Sequence, residues 1–102
     1  VNQEQNSSVL VSVTILDKEL KFACKPEEQA VLRASAQYLN EKMRDIRYTG
    51  RIVGADRISV MAAINISREL LEQREAYKLL EQNLNERILS LQNKIESILN
   101  KD

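Results

Sequence analysis

The sequence predicts an α+β protein: a small head made of a β-hairpin and one helix, followed by a long C-terminal helix that forms an oligomeric coiled coil. Three observations predict it. From Ala55 to Asn100 there is no glycine or proline, and apolar residues return at helical spacing. Near the start, Val9, Val11, Val13 and Ile15 alternate with Leu10, Ser12, Thr14 and Leu16. Between the two, Leu32, Ala36, Leu39, Met43 and Ile46 step by 4, 3, 4 and 3, which draws one apolar stripe on a helix. A helix as long as the first stretch would run about 70 Å. The roughly 50 residues that precede it are too few to cover such a rod, so its far half must find a partner in another copy or another protein. The expected layout is a polar tail over residues 1–8, a head over 9–54, and the long helix over 55–102, its first part completing the head.

The elements follow in order. The opening run from Val1 to Ser8 is polar and has no signal-peptide core, so it reads as a loose tail. The period-2, β-branched run after it is a strand. Asp17-Lys18 then reads as a turn. Leu20, Phe22 and Cys24 alternate with Glu19, Lys21 and Ala23 as a second strand, which completes a hairpin. The turn pair is not one of the favoured glycine-containing pairs, so its type is open. An isolated hairpin is marginal in water and needs a helix across one face. Pro26, followed by Glu27 and Glu28, starts that helix: the proline lacks an N–H where none is needed, and the acids favour the positive end of the dipole. Gly50 suits a left-handed stop past its end. The short link Arg51-Ile52-Val53-Gly54 leads to the second helix, with Asp56 in its first turn.

The second helix has two parts. Ile58, Val60, Met61, Ala62, Ala63, Ile64 and Ile66 are apolar on almost every side, which predicts burial all round, against the head core and against a second subunit. Beyond them Leu70, Tyr77, Leu84, Leu91 and Ile98 recur every seven residues, and Ile88 and Ile95 supply the alternate column of a coiled-coil seam. Further back the stripe passes through Ile66 and Leu80, and the steps Tyr77, Leu80, Leu84, Ile88, Leu91 read 3, 4, 4, 3, a stutter that locally unwinds the supercoil. Leu80 and Leu99 widen the apolar face enough to suggest more than two helices in contact. The expected oligomerisation residues are Ile64, Ile66, Leu70, Tyr77, Leu80, Leu84, Ile88, Leu91, Ile95 and Ile98.

Composition narrows the function. Fifteen basic and fifteen acidic residues give a net charge of zero, which argues against a dedicated nucleic-acid binder. There is no histidine, the commonest general base and metal ligand, and no glycine-rich phosphate loop. Carboxylate pairs such as Glu27 with Glu28 or Glu72 with Glu75 fall on solvated helix faces without an accompanying base. Neither catalysis, a cofactor nor a metal is expected. The one cysteine, Cys24, is in phase with Leu20 and Phe22 and reads as a small buried apolar residue in a reducing cytosol. No apolar run approaches the length of a membrane span. Asn6-Ser7-Ser8 and Asn65-Ile66-Ser67 match the glycosylation pattern by chance. Asn65, polar in an apolar stretch, reads as a hydrogen-bonded structural residue or a setter of helix register.

One charge pattern stands out. Between residues 42 and 57, Lys42, Arg44, Arg47, Arg51 and Arg57 face only Asp45 and Asp56, a local charge of +3. Arg44, Arg47 and Arg51 fall off the Leu39-Met43-Ile46 stripe. They are either an ordinary solvated helix end, favoured by the dipole, or a docking patch for an acidic partner.

Ile15-Leu16-Asp17-Lys18-Glu19-Leu20, Cys24-Lys25-Pro26-Glu27-Glu28, Ala36-Gln37-Tyr38-Leu39-Asn40 and the block Met61-Ala62-Ala63-Ile64-Asn65-Ile66-Ser67-Arg68-Glu69-Leu70 resemble the ZapA family of bacterial cell-division proteins, over nearly the whole chain. The family often has Cys-Pro directly, whereas here Lys25 intervenes. The resemblance implies a cytoplasmic, non-enzymatic partner of the tubulin-like division protein FtsZ. It would dimerise and tetramerise through its long helices and bridge FtsZ filaments in the Z-ring at midcell. It also implies FtsZ-facing charges at Lys18, Arg47, Arg51 and Asp56, to which the basic pattern adds Arg44. A nucleic-acid or membrane partner is not expected. The competing readings are a generic coiled-coil scaffold and a nucleic-acid binder using the patch at 42–57, which has Tyr48 as its one aromatic residue.

Overall fold

The computed structural model describes residues 7–51 and 53–101. Most of the expected tail, Asn6 of one glycosylation match, and Ile52 of the inter-helix link lie outside the described residues. The elements run β1 (Val9–Ile15), β2 (Lys18–Cys24), a 3-10 turn (Pro26–Glu28), α1 (Gln29–Tyr48) and α2 (Ala55–Leu99). The chain divides into two compact units, Val1–Asn65 and Ile66–Asp102.

In the first unit β1 and β2 pair antiparallel with Val9 opposite Cys24, Val11 opposite Phe22, Val13 opposite Leu20 and Ile15 opposite Lys18. Odd residues of β1 and even residues of β2 therefore share one face, as the alternation predicts. On the other face Ser12 Oγ donates a hydrogen bond to Glu19 Oε1 at 2.6 Å, a diagonal cross-strand pair.

The turn differs from the expected Asp17-Lys18. The register makes Leu16 and Asp17 the two loop residues, both with positive φ, 47° and 68°. This is the left-handed pair that a two-residue hairpin needs to match strand twist. Leucine at positive φ is disfavoured, by roughly 1–2 kcal/mol. Two long-range contacts offset that cost. The Leu16 N–H donates to Asn40 Oδ1 of α1 at 2.9 Å. The Leu16 side chain packs on the cluster formed by Met43, Ile58 and Ala62. Asn40→Ala would leave that half-buried N–H unpaired, and we expect a loss of about 1–2 kcal/mol. Urea unfolding at one fixed protein concentration should show a lower midpoint with an unchanged slope.

Lys25 precedes a 3-10 turn with Pro26 in its first position and Glu27 and Glu28 beside it. The helix signal therefore holds, with a tighter first turn before α1 proper. The α1 stripe forms as predicted: Ala36 and Met43 are buried, and Leu32, Leu39 and Ile46 are half-buried. It closes two adjoining clusters. One holds Val11, Val13 and Ala36 with Val9, Cys24 and Leu32 at its edge. The other holds Met43, Ile58 and Ala62, and Ile15 packs against both. Cys24 is half-buried as a small apolar filler. Helix α1 lies mainly over β1. The helix expected across the apolar face of the hairpin is there, but it covers the β1 side, and Leu20 and Phe22 of β2 remain partly exposed.

After Tyr48 the Thr49 and Gly50 amides donate to the Ile46 and Arg47 carbonyls, and Gly50 takes φ +69°, the left-handed stop. Gly54 takes φ +100°, and its carbonyl accepts from the Ile58 N–H in the first turn of α2. On α2, Ile58 and Ala62 are buried, whereas Val60, Met61, Ala63 and Ile64 are exposed. Burial all round is thus not achieved within one chain: at about 100° per residue, Val60 and Ile64 point away from the face that Ile58 and Ala62 give to the core. Asn65 is half-buried and does not lack a partner.

The second unit is the rest of α2. Among its described residues only Ile66 and Glu69 are half-buried; Leu70, Tyr77, Leu80, Leu84, Ile88, Leu91, Ile95 and Ile98 are exposed. Leu84, where the regular seam begins, and Ile95, near its far end, are 49% and 48% exposed. Leu71, Leu79 and Leu89 are exposed as well and stand off that seam, a second set the heptad reading passes over.

Candidate protein-docking site

The charged positions singled out in the sequence are reached from three elements. Lys18 opens β2, Arg44 and Arg47 lie on α1, Arg51 on the link, and Asp56 in the first turn of α2; all are exposed. Arg47 Nη1 lies 3.1 Å from Asp17 Oδ2, with the two side chains 43% and 78% exposed. This ion pair ties the hairpin turn to the C-terminal end of α1 and brings Lys18 into the same neighbourhood. At that exposure the pair stabilises by about 0–1 kcal/mol, so its main effect is to orient the Arg47 guanidinium. Sequence spacing could not reveal it, because Asp17 and Arg47 are thirty residues apart.

Arg51 and Asp56 border one cleft of about 580 Å³, together with Val53, Arg57, Val60 and Met61. Val53 also lines a neighbouring cleft with Arg47 and Leu16, so Arg47, Arg51 and Asp56 are gathered along one continuous surface. No described contact joins Arg44 to them. Lys42 is drawn along α1 instead, with Nζ 5.2 Å from the Tyr38 ring centroid. Val60 and Met61 belong to the stretch that the sequence assigns to contact with the head and a second subunit, and both are exposed in the single chain; Val53, an apolar residue of the link, carried no site signal in the sequence.

Among the described residues there is no group of three side chains able to hold a metal ion. No described helix is long and apolar enough to cross a membrane. What the surface presents is an open cleft lined by aliphatic side chains (Val53, Val60, Met61) and charged ones (Arg51, Asp56, Arg57).

A hairpin-and-helix head carrying a basic rim, followed by an amphipathic helix with an exposed apolar seam, defines a class of small proteins whose working parts are surfaces. Residues 11–95 match the family model for ZapA, the cell division protein ZapA. A cell division protein ZapA of Pseudomonas aeruginosa is 39% identical over 94 residues, covering 92% of this chain and 90% of that protein. One from Serratia proteamaculans is 32% identical over 89 residues, covering 87% and 82%. A solved structure, of an unknown conserved bacterial protein from Pseudomonas aeruginosa PAO1, superimposes with a TM-score of 0.72 at 40% identity, covering 85% of this chain and 96% of that one. The chain belongs to the ZapA family of cell-division proteins.

Proposed function

We propose that this chain is a non-enzymatic adaptor that binds FtsZ filaments and cross-links them, supporting the Z-ring at midcell in the cytoplasm. The observation that carries the reading is the exposed seam of α2. Leu84, Ile88, Leu91, Ile95 and Ile98 lie open to water in the single chain, and each would gain about 1.5–3 kcal/mol on full burial. Pairing of these helices makes a homodimer, and pairing of dimers makes a tetramer. Heads at both ends of the assembly turn a weak single contact into a bridge between filaments. Lys18, Arg47, Arg51 and Asp56, with Arg44 nearby on α1, supply the FtsZ-facing charges. Ile64, Ile66, Leu70, Tyr77 and Leu80 join the seam residues in holding copies together.

Polymerised FtsZ, pelleted and imaged with and without this protein, tests the function. The expected result is co-sedimentation and thicker bundles at molar ratios near one. Equal pelleting and single filaments in both samples would remove the reading. A gel shift at physiological salt separates it from nucleic-acid binding, for which a net charge of zero and an aliphatic cleft floor are poorly suited.

A further inference from the structure

Strand β1 has an open edge with a helix beside it. The two-residue loop makes Ile15 and Lys18 the closing hydrogen-bonded pair, so the N–H and C=O groups of Val9, Val11, Val13 and Ile15 turn toward β2. Those of Leu10, Ser12 and Thr14 turn to the outer side, where the two-stranded sheet has no further strand. Among the described residues the one partner of these outward groups is Arg33, whose Nη1 donates to the Ser12 carbonyl at 3.5 Å, longer than an ordinary N–H···O bond. Ser12, Val13 and Thr14 form one wall of a cleft of about 190 Å³, and Arg33, Ala36 and Gln37 of α1 form the other. Positions 33, 37, 40 and 44 follow one face of α1, so Arg44 continues that wall. Arg44 is exposed and has no hydrogen bond or ion pair among the described residues. The bordering acids are engaged: Glu41 accepts from Gln37 Nε2, Glu19 from Ser12 Oγ, and Asp17 from Arg47.

We propose that this groove takes an extended acidic segment of a partner protein as a third strand: its backbone pairs with Leu10, Ser12 and Thr14, and two of its carboxylates meet Arg33 and Arg44. The inference goes beyond the FtsZ-adaptor reading and does not rest on it.

An added strand is held by backbone bonds, and its alternate side chains set specificity. Arg33 and Arg44 stand eleven residues apart, about 16 Å along α1. Four strand residues span about 14 Å, and the long arginine side chains cover the difference. The fitting segment therefore carries acids four residues apart, with a small apolar residue midway over Val13 and Ala36. Pairing with its backbone displaces Arg33 from the Ser12 carbonyl and frees the guanidinium for a carboxylate. None of the groove residues belongs to the set assigned to contact between copies. A second copy does not fit here. Two β1 strands paired across a two-fold axis would lie about 4.8 Å apart. Since α1 lies over β1, their helices would be crowded to a similar spacing, whereas packed helices need about 8–10 Å. A bare segment brings no helix. Nucleic acid could meet the arginines but has no peptide backbone to continue the ladder.

The test uses the full chain and a labelled, end-blocked peptide, Thr-Glu-Thr-Val-Thr-Glu-Thr, read by fluorescence anisotropy and by hydrogen exchange of the chain's amides. Wild type should bind it, with slower exchange within Leu10–Thr14, and should not bind the version with lysine for glutamate. Two N-methylated peptides separate strand addition from charge attraction. Methyl groups on the glutamate and valine amides, or on the threonine amides, block opposite edges, so one peptide should lose binding and the other keep it. Thr14→Pro removes an outward donor at an edge position that accepts proline. It should bind about tenfold more weakly, at unchanged helicity and oligomeric mass. Arg33→Gln should bind up to about fivefold more weakly, with a flatter salt dependence. Absence of wild-type binding overturns the proposal, as does an equal effect of the two methylated peptides or wild-type affinity in a folded Thr14→Pro. A changed oligomeric mass in that variant also overturns it, by assigning the edge to contact between copies. Should Thr14→Pro unfold the head, the two methylated peptides on wild type decide.

Discussion

Ile88→Glu is expected to abolish the proposed tetramer. Ile88 stands where the regular three–four seam begins, and it is 54% exposed in the single chain. In a bundle each of four copies would bury this side chain, and each replacement removes about 1.5–3 kcal/mol of apolar burial. The glutamates would also face one another in a low-dielectric seam, an uncompensated burial of charge that adds several kcal/mol per site. The head should be unaffected, because its two clusters are built from residues 9–62. We expect the mass to fall to that of a dimer held by Ile64, Ile66, Leu70 and the exposed Val60 side of α2, with helicity reduced only toward the C-terminal end. Sedimentation equilibrium and circular dichroism check this. A tetrameric variant would place the assembly seam elsewhere, the off-seam Leu71, Leu79 and Leu89 being the next surface to probe. An unfolded monomer would mean that the head depends on the distal seam. In FtsZ pelleting the variant should still co-sediment but bundle poorly, since bridging needs heads at both ends.

Reversing both arginines, Arg47→Glu with Arg51→Glu, is expected to remove bundling at unchanged oligomeric mass. The pair changes local charge by four units on a surface proposed to hold an acidic filament. The expected loss of affinity is at least about tenfold, or about 1.4 kcal/mol. The structure adds a refinement that the charge pattern lacks. Arg47 is bound to Asp17, so its reversal sets two carboxylates against each other at the hairpin turn. That costs the head up to about 1 kcal/mol at this exposure. Asp17→Asn on its own removes the ion pair and leaves Arg47 charged, so it serves as the control. It should bind FtsZ as wild type does or slightly better, because the guanidinium is released to the partner. Co-sedimentation of wild type, the double reversal and Asp17→Asn at two salt concentrations decides the matter. Wild-type bundling by the double reversal would leave the basic patch as a solvated helix end and move docking to another surface of the head.

Both predictions draw on features that the sequence reveals unequally. The seam from Leu84 to Ile98, the period-2 strands, the Pro26 start and the Gly50 stop were all legible, because each depends on neighbours within a turn or two of the chain. The blocks around Asp17, Pro26, Leu39 and Asn65 carried the family in the same local way. The cleft was not legible: periodicity marks Val60 and Met61 as apolar positions of early α2, but that they lie beside Val53, Arg51 and Arg57 depends on how the link turns.

The sequence by itself determined that this chain makes a hairpin, a capped helix and a long amphipathic helix, and that the last exposes more apolar side chain than the head can cover. Periodicity, proline and glycine act over a few residues, and burial demand follows from composition. Only the tertiary structure decided which pair makes the hairpin turn, which half of the hairpin face α1 covers, which side of early α2 is core, and that Arg47 is held by Asp17. Each of these is settled by groups far apart in sequence. Leu16 tolerates positive φ because Asn40 and the Met43 cluster meet it. Arg47 meets Asp17 because α1 docks on β1 in one register. Packing chooses among locally equivalent options by the few kcal/mol that long-range contacts supply, and no local pattern records that choice.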